Sequence, residues 1–89
     1  MDWAISLSRQ AEKFLARNHI VDAFVTEQIL KALRKFSGKI VALDIRQMTG
    51  VWSGHFRIRS GKIRLIFSVD FYEKKVLVEV VDFRGNVYK

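Results

Sequence analysis

The chain has 89 residues, 49% apolar and 28% charged, enough for one small domain with a single core and too apolar for a disordered segment. It contains no cysteine, which excludes a disulfide framework and any thiolate metal site. Sixteen Lys and Arg against nine Asp and Glu leave a net charge of +7, a surface suited to phosphate backbones, anionic membranes or an acidic protein partner. The first residues lack the basic and apolar regions of a signal peptide, and no apolar run approaches membrane-spanning length, so a soluble, cytoplasmic protein is expected.

Residues 2–7 alternate Trp3, Ile5 and Leu7 against Asp2, Ala4 and Ser6, the pattern of a short strand with one buried face. Ser8 offers an N-cap hydroxyl to a helix whose inner side carries Ala11, Phe14, Leu15 and Asn18. Asn18-His19 reads as a break, with His19 in a surface or capping role. Asp22 is expected to cap a second helix with the stripe Val25, Ile29, Ala32, Leu33 and Phe36, closed by Ser37-Gly38. One long helix through residue 36 is the alternative, since no proline enforces the break. Residues 39–53 read as a connector whose apolar members Ile40, Val41, Leu43, Ile45 and Met48 plug one edge of the core.

Residues 54–70 read as a hairpin around a turn containing Gly61. Phe56 and Ile58 share a face with Ile63, Leu65, Phe67 and Val69, while His55, Arg57, Arg59 and Arg64 gather opposite. The last strand, Val76 to Phe83, is apolar at nearly every position, as expected for a central strand covered on both faces. The fold class is α+β, in the order β-α-α-β-β-β, with two N-terminal helices packed on one face of a small, mainly antiparallel sheet and residues 1–89 forming one domain.

That arrangement leaves a face for His55, Arg57, Arg59 and Arg64, joined from the strand end by Arg84 and Tyr88. A solvated strand face is the ordinary explanation of alternating charge. Here, however, four Arg or Lys and no acid lie between Gly54 and Val69, in a chain that elsewhere mixes both signs, and this concentration points to an anion site. His55 is the one member of the cluster of a residue type that changes charge near neutral pH. Trp3 and Trp52 are expected in the core, where an indole buries a large area.

The segment from Gly54 to Ile66 resembles the "G-x-x-R-x-R-x-G-x-x-R" pattern, followed by two hydrophobic residues, of the RelE/ParE superfamily of type II toxin-antitoxin toxins. Arg84-Gly85-Asn86-Val87-Tyr88 resembles that family's terminal "R-x-x-V-Y". In the RelE branch the resemblance implies a ribosome-dependent messenger RNA endoribonuclease, using 2′-OH attack on the adjacent phosphate without a metal or other cofactor. It implies Arg64, Arg84 and Tyr88 as catalytic residues, with Arg57, Arg59 and Lys62 holding flanking phosphates; His55, by its own side-chain chemistry rather than by the resemblance, is the catalytic candidate for proton transfer. It also implies a small cognate antitoxin, acidic or helical, as partner, together with the ribosome and mRNA. The sequence departs from the pattern where His55 and Arg57 replace lysines, and where Asp82 and Phe83 occupy positions at which active relatives carry arginine or histidine. Those departures keep open a ParE-like toxin that inhibits DNA gyrase without catalysis, or a relative that only binds its antitoxin.

Overall fold

The computed structural model describes residues 2–85. Five strands form one mixed sheet in the order β1-β5-β4-β3-β2, built from β1 (Ala4–Leu7), β2 (Asp44–Gln47), β3 (His55–Ser60), β4 (Ile63–Asp70) and β5 (Lys75–Phe83). The helices α1 (Arg9–Arg17) and α2 (Asp22–Phe36) separate β1 from β2 in the chain. Strands β2 to β5 are an antiparallel meander, and β1 joins β5 in parallel. The expected α+β class and strand-helix-helix-strand order hold, with one strand more than the sequence reading contained.

Helix α1 starts where Ser8 does two jobs. Its hydroxyl accepts from Ala11 N at 3.1 Å, capping the helix, and donates to the Glu79 carbonyl at 2.6 Å. Ala11, Phe14 and Leu15 are buried on the inner stripe. The break before α2 is real: His19 takes φ +56°, and Asn18 folds its amide back onto the Phe14 carbonyl at 2.8 Å. Asp22 does not cap α2 as expected. It is the first helical residue, where its carboxylate complements the helix dipole, and Val21 occupies the cap position without a side-chain bond. At the other end Gly38, at φ +95°, lets Lys39 N reach the Arg34 carbonyl and Gly38 N reach that of Lys35, both at 3.1 Å. This is the Schellman closure that the Ser37-Gly38 pair suggested.

Between the helices and the sheet lie Val25, Ile29, Ala32, Ile58, Leu65, Phe67, Val76, Val78 and Val81, all essentially inaccessible to water. Phe36 at the end of α2 meets Phe56 at 4.8 Å, and Phe56 stacks on Phe67 at 5.7 Å. Aromatic contacts thus extend the core toward the start of the hairpin.

Three expectations change. The connector contains β2, whose Ile45 and preceding Leu43 pack against the core, whereas Ile40 is fully exposed. The strand buried on both faces is β4 rather than β5: all of Ile63 to Phe67 is buried, while Leu77 and Phe83 of β5 stay 40% exposed. Trp3 packs at the core margin against Phe71, but Trp52 lies outside the core cluster.

Beyond Val78, β5 runs past the end of β1, and α1 takes over its edge. Ser8 N donates to the Val78 carbonyl at 2.9 Å, and the Gln10 side-chain amide both donates to Val81 O at 2.9 Å and accepts from Val81 N at 3.0 Å. A primary amide here stands in for the peptide group that a longer β1 would supply. Glu79 is the extra residue of a bulge, since Ile66 pairs with Val80 and Phe67 with Val78.

Candidate functional site

The register fixes which side chains share the face away from the helices. Arg59, Arg64 and Asp82 lie in one row across β3, β4 and β5, while Arg57, Ile66 and Val80 form the next. On β2, Asp44 pairs with Arg59 and Arg46 with Arg57, so both join this face. Gly61, at φ +61° in the first central position of the two-residue turn, permits the tight β3–β4 reversal that sets Arg59 opposite Arg64.

Arg46, Arg57, Arg59 and Arg64 line one cavity of about 590 Å3, closed on its other side by Gln47 to Trp52. Arg57 and Arg64 are only 5% and 9% exposed, whereas Arg59 is half-buried. Burying guanidinium groups is costly, so each requires hydrogen bonds and opposite charge nearby. Asp44 supplies part of that charge: its Oδ1 lies 3.4 Å from Arg57 Nη2 and its Oδ2 lies 3.0 Å from Arg59 Nε. The first contact is a hydrogen bond, whereas Arg59 Nε is close enough for charge attraction but not aimed along a hydrogen bond. The sequence reading found no acid to neutralise this face; the fold brings one from β2 and others from β5. Even so, among the described residues four arginines line the cavity and no carboxylate does.

His55 does not join that lining. Its Nε2 lies 2.8 Å from Glu79 Oε1 on the bulge of β5, and its ring meets Trp52 edge-on at 5.3 Å and 79°. Trp52, expected in the core, instead forms part of the cavity wall. Lys62 and Arg84 gather at the far end of the hairpin, where Arg84 N donates to the Lys62 carbonyl at 2.9 Å. With Gly61, Arg64, Phe83 and Gly85 they line a second, more open cavity of about 630 Å3. Arg64 therefore borders both cavities. Tyr88 lies outside the described residues.

Sequence reasoning missed Asp44, Arg46 and Glu79, and misplaced Trp52. The alternation Leu43-Asp44-Ile45-Arg46 is a strand signal for β2, although a short one. The role of Glu79 depends on a bulge, which leaves no mark in the alternation. Among the described residues no three His, Cys, Asp or Glu side chains cluster to hold a metal ion.

No family model matches the chain, and no curated protein matches it in sequence. Solved structures do match its fold. YafQ from E. coli superposes with a TM-score of 0.67 at 15% identity, over 99% of this chain and 100% of that one. A copper-bound mutant toxin from Helicobacter pylori gives 0.72 at 17% identity, over 97% and 99%. Archaeal RelE in its complex with RelB from Pyrococcus horikoshii OT3 gives 0.60 at 22% identity, over 98% and 100%. The chain thus has the fold of the RelE-like toxins across essentially its whole length.

Proposed function

We propose that the protein is the toxin of a type II toxin-antitoxin pair and acts as a ribosome-dependent endoribonuclease on messenger RNA. The observation that carries this reading is the convergence of Arg57, Arg59 and Arg64 on one cavity of the open sheet face, two of them buried. A buried guanidinium keeps its charge, forks across two oxygens and needs little reorganisation when charge develops in front of it. In the proposed reaction the 2′-oxygen attacks the adjacent phosphorus and loses its proton. The O2′–P bond forms, the P–O5′ bond breaks, and a proton reaches the departing 5′-oxygen. The products are a 2′,3′-cyclic phosphate and a 5′-hydroxyl. Arg64, central in the sheet and bordering both cavities, is the residue assigned to the doubly charged phosphorane. Arg57 and Arg59 hold the same or a flanking phosphate, and Lys62 and Arg84 the strand beyond. His55 is assigned to positioning through Trp52, in keeping with its place outside the cavity lining.

The charge of +7 and the RelE–RelB neighbour support an acidic or helical antitoxin as the resting partner in the cytoplasm. Cut sites mapped on translated messages in a cell-free system test the reading. Removing one transition-state donor costs about 100- to 1,000-fold, so Arg64→Ala should all but abolish cutting. Cutting at the wild-type rate in that variant refutes the assignment.

One observation favours a second reading. Among the described residues, no side chain lining the arginine cavity exchanges a proton near neutral pH. A ParE-like toxin that binds and inhibits DNA gyrase needs no such group. A supercoiling assay decides between them: inhibition by micromolar protein without message cleavage supports gyrase. Growth unaffected by overexpression points instead to a chain that only binds its antitoxin.

A further inference from the structure

Trp52 stands where a core tryptophan has no reason to be. The chain has two tryptophans; Trp3 packs at the core margin, whereas Trp52 faces the arginine cavity and is half-buried. The loop that carries it is tied down at several points. Met48 N donates to the His55 carbonyl at 2.9 Å, Ser53 N donates to the Gly50 carbonyl at 3.0 Å, and Gly50 and Gly54 take φ +69° and +90°. His55 contacts the indole edge-on, at an interplanar angle of 79°, and is itself held by Glu79. An aromatic ring fixed in this way beside clustered guanidinium groups combines the two elements that bind single-stranded nucleic acid: charge for the phosphate and a π-face for the base. The cavity volume of about 590 Å3 falls within the range of small-ligand sites.

We propose that this cavity is a single-nucleotide site, with a phosphate on Arg57, Arg59 and Arg64 and the adjoining nucleobase stacked on Trp52. The inference rests on reading the face as an RNA site and adds that the nucleotide beside the bound phosphate is gripped by its base. Glu79 and His55 then act as positioning residues that set the indole.

Calorimetric titration of the purified full chain with adenosine 5′-monophosphate and with ribose 5-phosphate tests it, because the two ligands differ only in the base. A stacked base is expected to improve affinity roughly 5- to 150-fold. The nucleotide, but not the sugar phosphate, should also quench tryptophan emission. Trp52→Ala should erase the advantage while leaving ribose 5-phosphate binding unchanged. Should that variant fold poorly, Trp52→Phe should keep part of the advantage and lose the quenching from this position. Equal affinities for the two ligands, no binding of either, or an advantage that survives Trp52→Ala would each overturn the site. The nuclease reading fails separately: base-dependent binding without message cleavage removes that reading and keeps the site, whereas cleavage without base-dependent binding does the reverse.

Discussion

Replacing Asp44 by Asn removes a carboxylate that pairs with both Arg57 and Arg59 and leaves the side-chain shape nearly unchanged. In the resting protein this carboxylate occupies the guanidinium pair that a substrate phosphate would use. A phosphate bridging the same two groups sits about 5 Å from it, and with an effective dielectric of roughly 40–80 at this half-exposed position the repulsion is about 0.8–1.7 kcal/mol. Asp44→Asn is therefore expected to tighten binding of a short single-stranded RNA about 4- to 16-fold at low ionic strength. The gain should fade toward 1 M salt, where the screening length is about 3 Å. Fluorescence anisotropy across a salt series reads both effects. The same change removes two ion pairs, one to half-buried Arg59 and one to buried Arg57, and should cost about 1–3 kcal/mol of stability. Weaker binding in the variant would refute the argument, because it would mean that Asp44 aims the arginines at phosphate rather than competing with it.

Ser8→Ala removes an N-cap and the hydrogen bond to the Glu79 carbonyl, about 1 kcal/mol each, so urea unfolding should show a loss near 2 kcal/mol; a loss below about 0.5 kcal/mol contradicts the double role. Gln10→Ala strips both partners from the buried Val81 peptide groups, and about 1–3 kcal/mol should be lost, with Gln10→Glu keeping the acceptor and retaining part of it. Hydrogen exchange at the Val81 amide should accelerate in Gln10→Ala, and unchanged protection would rule out the side-chain ladder. At Gly61 an added Cβ meets no atom within 4 Å, so Gly61→Ala should cost only the backbone penalty of about 1–2 kcal/mol in thermal unfolding, and Gly61→Asn less.

Periodicity made most of the scaffold legible in the sequence. The stripes Ala11-Phe14-Leu15 and Val25-Ile29-Ala32-Leu33 lie on the core, and the alternation across the β3–β4 turn assigns Arg57, Arg59 and Arg64 to the face away from it. Those patterns survive folding because burial of an amphipathic face is a local consequence of side-chain spacing. The start of α2 was harder to read, since an acid in the first turn is favourable whether or not it is the cap. Strand β2 was missed because four residues give too little alternation to separate a strand from a connector.

What the sequence alone determined is the order of elements, the core and the presence of an arginine-rich face. Tertiary structure decided what that face is made of. Asp44 reaches Arg57 and Arg59 only because β2 pairs with β3, Glu79 reaches His55 only through a bulge, and Trp52 joins the arginines only because the loop that carries it lines the same cavity. Each contact links groups from different strands or loops, and the register and loop closure that create it depend on the whole sheet rather than on any one segment.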